Sequence, residues 1–363
     1  MSRTEERISA LRARMRLEGV NLVALAPGAH MRWLLGFAPH ADERPCLLCI
    51  SMSKAALLMP KLNAEGSRRD TDLPFHEWSD EEGPEGAFHG LVNELGVGGA
   101  RRIVLDETMR ADFAALVQDT LPDAERGFTA STIGLLRMRK NNGEYAALKR
   151  NALLADQAMR AGWAAMKPGM TELDVAGIIR ARFAALGASP LFTIVGAGGN
   201  GAIPHHRTGE TALRTGNAVV MDIGAGMDGF SSDITRMAVL GKPPEGYLET
   251  HAIVEAAVRA AMAAARPGVP AREVDAAARG VIEDAGYGPN FPHRTGHGLG
   301  IEVHEPPYLT SVSETVLTPG MVFSIEPGIY QPGRFGIRLE EIVILREDGP
   351  EVLSELPRDP KVI

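Results

Sequence analysis

Cysteine is scarce in this chain of 363 residues, which contains only Cys46 and Cys49. Their Cys-Leu-Leu-Cys spacing is found in redox and metal motifs, but no second pair accompanies it and no helix start signal follows it. The pair also lies inside the apolar run CLLCIS. We therefore predict that both cysteines are buried residues of a β-strand.

Long hydrophobic runs and basic stretches are also missing. No segment approaches the roughly 20 apolar residues that a membrane-spanning helix needs. The first residues, MSRTEERISALRARMRLEG, are typical of a charged amphipathic helix and not of a signal peptide. The net charge is −8 and no stripe of lysine and arginine occurs, which argues against nucleic acid as a partner. We expect a cytoplasmic protein that acts on small substrates, with no membrane or nucleic-acid partner.

Two domains are expected from the length of the chain and from the order of its predicted elements. The first part alternates helical stretches with short apolar strands such as NLVALA, CLLCIS, AALLMP and RIVLDE, which is typical of an α/β domain. The polar segment RMRKNNG, residues 137–143, interrupts this pattern and precedes a long stretch of helical periodicity. This segment is the best candidate for the boundary between the domains.

An internal repeat occupies the second part of the chain. The segment KPGMTELDVAGIIRARFAALGA aligns with RPGVPAREVDAAARGVIEDAGY at an offset of 266 − 167 = 99 residues. The same offset pairs His205 with His304. A second alignment, at an offset of 320 − 216 = 104 residues, pairs Asp222 with Glu326. A duplicated helix-helix-strand unit with pseudo-twofold symmetry would bring these pairs face to face across a shared axis.

Carboxylates in apolar or glycine-rich settings form a set that is suited to metal ions. Asp222 ends the apolar run VVM, and Asp233 lies on the next predicted strand. An ionised carboxylate outside water must be paired, hydrogen-bonded or bound to a metal. Similar settings hold His297 in GHGLG, Glu326 in FSIEPGIY and Glu340 in IRLEE. Four carboxylates exceed what one divalent ion neutralises, so this oxygen-rich set with one imidazole predicts two divalent ions.

These motifs resemble those of the M24 metallopeptidases, the pita-bread family of Xaa-Pro dipeptidase (prolidase), aminopeptidase P and methionine aminopeptidase. The Xaa-Pro branch is the most similar, and the resemblance covers nearly the whole chain. It implies an α+β fold with two domains. A creatinase-like α/β N-terminal domain would span residues 1–132, and a pita-bread catalytic domain with an internal pseudo-twofold repeat would span residues 133–363.

The resemblance also implies which residues bind the metals. Asp222 would bind one ion, and His297 with Glu326 would bind the other. Asp233 and Glu340 would bridge the two ions. Mn²⁺ is our first expectation for both positions, and Co²⁺, Zn²⁺ and Fe²⁺ are alternatives because such ligands accept several metals.

Further site residues are carried over from the same resemblance. His205 and His304 would flank the reacting carbonyl, one holding the substrate and the other stabilising the oxyanion or transferring a proton. Glu326 would also accept the proton of the nucleophile. His293 and Arg338 would bind the substrate carboxylate or orient a metal ligand.

Three other polar residues near these motifs are interpreted as structural. His206 and His251 lack a comparable motif. Glu341 follows Glu340 directly, but neighbouring residues of a strand point to opposite faces, so we do not expect Glu341 to bind a metal.

We interpret the chain as a dinuclear-metal hydrolase that cleaves Xaa-Pro bonds in dipeptides or short peptides through a hydroxide that bridges the ions. Other reactions stay open because one scaffold can carry several. The alternatives are a hydrolase of a small non-peptide amide, similar to ectoine hydrolase, and a related lyase. A non-enzymatic binding protein is a further alternative, against which the presence of all five ligands argues. The family resemblance also implies a homodimer.

Overall fold

A computed structural model of the chain describes residues 2–363 and divides into two units, Met1–Arg137 and Met138–Ile363. The first unit ends five residues after residue 132, where the sequence predicted the end of the first domain (137 − 132 = 5). A short helix, Ile133–Met138, occupies this stretch of the chain. Within residues 2–363, every helix is too short or too polar to span a lipid bilayer.

Within the residues that the structure describes, the first unit contains one mixed six-stranded sheet and six α-helices, the last of which ends at Met138. Its strands are β1 (Leu22–Leu25), β2 (Leu47–Ser51), β3 (Ala55–Pro60), β4 (Phe75–Trp78), β5 (Arg102–Leu105) and β6 (Glu125–Phe128). Their order is β4-β3-β2-β1-β5-β6; β2 runs antiparallel to β1 and β3, and the other pairs are parallel. The helices are α1 (Arg3–Glu18), α2 (Ala29–Leu35), α3 (Lys61–Ser67), α4 (Glu85–Leu95), α5 (Ala111–Thr120) and α6 (Ile133–Met138). The α/β organisation that the sequence predicts is confirmed, and α2, α3, β4 and β6 are additional short elements.

Both cysteines are buried, as the sequence predicts, but only Cys49 lies in a strand. Cys46 precedes β2 and Cys49 lies within it, and neither forms a disulfide. Burial raises the pKa of the Cys46 thiol to about 12 and raises that of Cys49 as well. A thiol with such a pKa stays protonated at neutral pH, so these side chains act as small apolar groups in the core.

The second unit contains four long helices and twelve strands. The helices are α7 (Asn142–Ala165), α8 (Glu172–Ala185), α9 (Tyr247–Ala264) and α10 (Ala271–Asp284). The strands are β7 (Ser189–Ala197), β8 (Ala218–Met227), β9 (Phe230–Ser231), β10 (Ile234–Val239), β11 (Gly296–Gly298), β12 (Glu305–Leu309), β13 (Val322–Ile325), β14 (Gly328–Gln331), β15 (Phe335–Arg338), β16 (Glu341–Arg346), β17 (Gly349–Val352) and β18 (Lys361–Val362). One sheet has the order β18-β10-β8-β7 with β9 beside β8, another has the order β12-β11-β13-β16-β17, and β14 pairs with β15.

The predicted repeat is present in the helices of this unit. α8 and α10 both have 14 residues and begin 99 residues apart (271 − 172 = 99). Each packs against the long helix that precedes it, α7 or α9. The turns before them also match, because Gly169 and Gly268 have φ angles of 92° and 87°, a left-handed conformation that favours glycine. The two halves therefore share helix lengths and turn geometry.

Antiparallel pairing fixes the register of the strands that carry the predicted carboxylates. β8 lies between β7 and β10, so Asp222 lies opposite Ile194 on one side and Thr235 on the other. Asp233 directly precedes β10. A central strand that is paired on both sides cannot shift without breaking two hydrogen-bond ladders. The sheet thus fixes Asp222, whereas Asp233, which was predicted on a strand, lies directly before one.

The Gly-His-Gly sequence of β11 places His297 between two close backbone contacts. A Cβ atom on Gly296 would collide with the carbonyl oxygen of Ser324, and one on Gly298 would collide with that of Pro306. Both neighbours of His297 must therefore be glycine for the flanking strands to approach this closely.

The packing of α7 on α8 and β8 gives a test of this architecture. A Cβ on Gly162 of α7 would lie 2.8 Å from Met221 Cε and 2.9 Å from Ile179 Cγ1, whereas Gly177 of α8 has nothing within 4 Å. We expect Gly177→Ala to raise the free energy of unfolding by about 0.5–1 kcal/mol through helix propensity. Gly162→Ala should lower it by about 1–3 kcal/mol because the contact is overpacked. Urea unfolding of both variants measures this, and equal stabilisation would contradict the packing.

Candidate metal centre

One cavity in the second unit gathers the polar residues that the sequence singled out. Its volume is about 620 Å³, and its lining includes all nine predicted site residues: His205, Asp222, Asp233, His293, His297, His304, Glu326, Arg338 and Glu340. The lining also contains five residues that the sequence analysis did not predict: Phe192, Ile194, Pro204, Arg294 and Val303. The first and last of the nine predicted residues are 135 positions apart in the sequence (340 − 205 = 135), yet all nine face one space.

Three groups of potential ligand atoms lie within this cavity. One oxygen each from Asp222, Asp233 and Glu340 lie within 4.8 Å of one another. A nitrogen of His297 and one oxygen each from Glu326 and Glu340 form a second group within the same limit. In the third group, one ligand atom each from Asp233, His297 and His304 lie within this limit. Glu340 belongs to the first two groups, which together contain the five predicted metal ligands.

The position of Glu340 follows from the chain that leads into β16. Its backbone N–H donates to the carbonyl oxygen of Thr235 at 3.3 Å, and the hydroxyl of Thr235 donates to Glu340 Oε2 at 2.9 Å. Thr235 lies opposite Asp222 in the β8–β10 ladder. One threonine therefore links the carboxylates that come from different parts of the sequence.

His297 presents one particular ring nitrogen to the carboxylates. Its Nδ1 atom lies 3.1 Å from the carbonyl oxygen of Gly298, an acceptor, which assigns the proton to Nδ1. Its Nε2 atom lies 3.0 Å from Glu326 Oε1 and 3.7 Å from Asp233 Oδ2. Because these oxygens are acceptors too, either a proton or a cation must lie between them and Nε2. This arrangement is typical of a histidine that binds metal.

Buried oxygens without partners test whether the residues fit a metal. Asp222 Oδ1, Asp233 Oδ1 and Glu340 Oε1 are inaccessible to solvent and accept no hydrogen bond within residues 2–363. Leaving a buried acceptor unsatisfied costs about 1–3 kcal/mol, and more for a charged group. All three oxygens belong to the carboxylates of the first group. The donor set therefore fits a hard divalent cation that prefers oxygen and imidazole ligands.

The carboxylates also repel one another. Burial raises the pKa of Asp233 well above its ordinary value, and the charges of Glu340 and Asp222 raise it further. Burial likewise raises the pKa of Glu340, followed by the charges of Glu326 and Asp222. Burial opposes ionisation of Glu326 as well, but the hydrogen bond and charge of His297 outweigh it and lower its pKa to about 2. Cations between these groups would offset the repulsion.

Arg338 is buried, and its guanidinium contacts several groups around the site. Nη2 donates to Asp222 Oδ2 at 2.6 Å, and Nε donates to the hydroxyl of Thr235 at 3.1 Å. Nη1 donates to the hydroxyl of Tyr330 at 2.8 Å and to the carbonyl oxygen of Pro204 at 3.3 Å. This residue therefore neutralises one oxygen of Asp222 and leaves the other without a partner.

His293 is connected to Arg338 through Tyr330. Its Nδ1 atom lies 2.8 Å from the carbonyl oxygen of Arg294, so Nδ1 carries a proton and donates it. Its Nε2 atom accepts from the Tyr330 hydroxyl at 2.8 Å. Burial lowers the pKa of His293, which agrees with a neutral ring in this chain of hydrogen bonds. Both ring nitrogens are engaged by the protein.

His205 and His304 are exposed residues on the open side of the cavity. The His304 ring lies 4.1 Å from the ring of His297, centroid to centroid, at an interplanar angle of 68°. Partial desolvation of the ring by the cavity wall, then the charges of His297 and Arg294, lower the pKa of His304 to about 4. Within residues 2–363, the His205 ring makes no side-chain hydrogen bond. The two repeat-related histidines thus face the same space, as the sequence predicted.

The residues that were interpreted as structural belong to none of the ligand groups in the cavity. Glu341 accepts from Arg236 at 2.8 Å and from Arg358 at 3.0 Å, on the other face of the chain from Glu340. His251 Nε2 lies 3.1 Å from the carbonyl oxygen of Arg358. His206 contacts a buried glutamate that the sequence analysis did not single out.

Some contributors could have been found from the sequence and others could not. Arg294 lies three residues before His297, and Tyr330 lies inside the motif FSIEPGIY, so proximity in the sequence to predicted ligands was a usable signal. Phe192, Ile194 and Val303 give no such signal, because an apolar residue that lines a cavity has the same pattern as one in the core.

Two family models match the chain. Residues 146–347 match the metallopeptidase family M24, and residues 7–139 match the creatinase/prolidase N-terminal domain. The chain belongs to metallopeptidase family M24. It is therefore a peptidase of a family that uses divalent metal ions, and the fold class expected from the sequence is confirmed.

Relatives over the full length support this assignment of the M24 peptidase. It is 36% identical over 359 residues to a probable dipeptidase PepE of Mycobacterium tuberculosis, covering 94% of this chain and 92% of the relative. It is 30% identical over 356 residues to an Xaa-Pro dipeptidase of Pyrococcus horikoshii, covering 98% of both. The crystal structure of a prolidase from Thermococcus sibiricus is similar with a TM-score of 0.93 and 33% identity, covering 100% of both chains.

The repulsion among the buried carboxylates can be tested by the thermal stability of the M24 peptidase in the absence of metal. Asp233→Asn removes one buried charge next to Glu340 and Asp222 while keeping the shape of the side chain. We expect its thermal midpoint in EDTA at pH 8 to rise by about 2–6 °C. Saturating Mn²⁺ should raise the midpoint of the wild type and leave that of the variant nearly unchanged.

Asp123→Asn is the matched control, because Asp123 is an exposed carboxylate outside the cavity. It should change neither midpoint. An Asp233→Asn protein that is less stable than the wild type in EDTA, and that still gains stability from Mn²⁺, would contradict the assignment of this carboxylate.

Proposed function

We propose that this M24 peptidase is a dinuclear-metal hydrolase that cleaves Xaa-Pro bonds in dipeptides or short peptides. The main support is that Glu340 contributes to two of the three groups of ligand atoms in one cavity, and that these two groups contain all five predicted metal ligands. A carboxylate that is shared between two sets of ligands is the arrangement expected for a pair of bridged metal ions. Such pairs are common in aminopeptidases.

The names of similar proteins support the choice of substrate. The relative from Pyrococcus horikoshii is called an Xaa-Pro dipeptidase, and the similar crystal structure from Thermococcus sibiricus is that of a prolidase. The Mycobacterium tuberculosis relative is called a probable dipeptidase. The cavity volume of about 620 Å³ is within the range of small-molecule sites and suits a short peptide.

We assign the metal ligands as the sequence predicted. Asp222 would hold one ion and His297 with Glu326 would hold the other, Asp233 and Glu340 would contribute to both, and Mn²⁺ is the first choice of metal. Divalent ions bound there supply a Lewis acid for the scissile carbonyl and activate water at neutral pH. The buried oxygens without partners are the structural support for this assignment.

The side chains of the protein hold the substrate and move the proton. Glu326 accepts the proton of the attacking water, and its Oε1 is oriented by the hydroxyl of Ser324, which donates to it at 3.0 Å. His304 donates a ring N–H to the oxygen of the scissile carbonyl, which becomes negatively charged during the attack. His205, on the same open side of the cavity, holds the substrate next to it.

Arg338 and His293 act on the ligands in this proposal. The contacts of Arg338 support the second of its two expected roles, the orientation of a ligand, because its Nη2 donates directly to Asp222. His293 accepts from Tyr330, which in turn accepts from Arg338, so it supports the same orientation from further away.

The substrate proposal is tested by hydrolysis assays with the protein loaded with Mn²⁺. We expect turnover of Ala-Pro that exceeds that of Ala-Ala by at least tenfold, and comparison with Ala-Pro-Ala assigns dipeptidase or aminopeptidase specificity. Release of proline by chromatography measures each rate. Cleavage of ectoine without cleavage of Ala-Pro would show that the substrate is a small amide and not a peptide. A fully loaded protein that cleaves no amide would favour a binding protein.

The roles of the site residues predict two classes of variant. Asp233→Asn and Glu340→Gln should lose bound metal and activity together, because each removes a bridging carboxylate. His304→Ala should keep the metal content of the wild type and lower kcat by about 100-fold, because one oxyanion donor contributes roughly 10²–10³ in rate. Elemental analysis and the Ala-Pro assay separate the classes. His89→Ala, which removes an exposed histidine of α4, is the control. A normal kcat for His304→Ala would refute its role.

Two further parts of the proposal come from the sequence analysis alone. We propose a homodimer and a cytoplasmic location. Sedimentation of the purified protein would give the mass of the assembly, and a mass of one chain would contradict the dimer.

A further inference from the structure

Glu172 is a buried carboxylate that the start of its helix does not need. α8 begins at Glu172, with Thr171 as its N-cap. The capping box is completed by Asp174, whose backbone N–H donates to Thr171 Oγ1 at 3.1 Å and whose side chain accepts from the Thr171 N–H at 2.8 Å. Asp174 is exposed, as acidic residues in a first helical turn usually are, whereas Glu172 is completely buried.

Glu172 receives four hydrogen bonds from one segment, residues 197–209. Oε1 accepts from the backbone N–H of Ala197 at 2.8 Å and from Asn200 Nδ2 at 2.9 Å. Oε2 accepts from His206 Nε2 at 2.8 Å and from the backbone N–H of Gly209 at 3.1 Å. Both oxygens are therefore saturated, which makes the burial of this charge tolerable.

The 197–209 segment carries His205. The His205 ring makes no side-chain hydrogen bond within residues 2–363, so its place at the cavity depends on its backbone. The residue before it, Pro204, is held by Arg338 through its carbonyl oxygen at 3.3 Å. The residue after it, His206, is held by Glu172. His205 therefore lies between two fixed neighbours.

The other half of the repeat contains a comparable contact. Asp275 of α10 is completely buried and accepts from the backbone N–H of Thr295 at 3.0 Å and from its hydroxyl at 2.8 Å. The carbonyl oxygen of Thr295 accepts from the backbone N–H of Glu326 at 2.8 Å. In each half, a buried carboxylate from the second helix thus holds a segment that reaches the cavity.

We propose that Glu172 is a positioning residue that fixes the 197–209 segment, through His206 and two backbone amides, so that His205 stays at the mouth of the metal cavity. The effect of Glu172 on the 197–209 segment is independent of the reaction. The effect on turnover rests on the proposed function, because it acts through His205.

The effect on the loop is tested first, in the metal-free protein. Glu172→Gln keeps the size of the side chain but replaces one oxygen by an NH₂ group. This group cannot accept the hydrogen bonds that the N–H donors of the segment make to Glu172. We expect the amides of Ala197 and Gly209 to exchange with deuterium at least tenfold faster than in the wild type, as measured by NMR or mass spectrometry. Asp174→Asn is the matched control: it removes a carboxylate from the same helical turn and should leave these two amides unchanged.

The effect on turnover is tested by a double-mutant cycle with Ala-Pro and saturating Mn²⁺. Glu172→Gln should lower kcat about tenfold with unchanged metal content, and it should cause no further loss when His205→Ala is already present. His206→Ala should behave in the same way, and His206→Gln, which keeps an N–H donor, should recover most of the rate. If Glu172→Gln does not fold, the His206 variants complete the same cycle.

The outcomes separate the two proposals. Losses that multiply in the double variant, or amide exchange that stays at the wild-type rate, overturn the positioning role. A wild-type protein that cleaves no dipeptide overturns the proposed function, while faster exchange in Glu172→Gln still supports the role of Glu172 in holding the segment.

Discussion

The catalytic unit depends on the repulsion between carboxylates that the fold brings into one cavity. Asp222, Asp233, Glu326 and Glu340 face a common space, and one oxygen of each except Glu326 is buried without a hydrogen-bond partner. Arg338 offsets part of this charge, but it contacts only one oxygen of Asp222. Burial of unpaired charge costs several kcal/mol, so the arrangement favours protons or cations between the carboxylates and suits the divalent ions that family M24 uses.

The rest of the unit can be understood as the support for this cluster. β8, paired on both sides, fixes Asp222, and Thr235 on the neighbouring strand holds Glu340. Two glycines allow the backbone to close around His297. The repeat then supplies a histidine from each half to the open side of the cavity. The rigid elements place the charges, and the more exposed segments carry the groups that would meet a substrate.

The sequence predicted the parts of this structure that leave a local pattern. The strand of Asp222 follows from an apolar run, and the pairing of His205 with His304 follows from the repeat offset. Short elements such as β4 and α3 were missed because their periodicity covers too few residues. The role of Glu172 was missed for another reason: a glutamate at a helix start has the same pattern whether it is exposed or buried. Its partners lie 25 to 37 residues away and become visible only in the fold.

The most direct measurement of the central claim is anomalous diffraction from crystals grown with excess Mn²⁺. A dinuclear metal centre in this cavity would give two anomalous peaks, one bounded by Asp222 and the other by His297 and Glu326, with Asp233 and Glu340 between them. A cavity without anomalous density at saturating Mn²⁺, or peaks that contact none of these side chains, would contradict it.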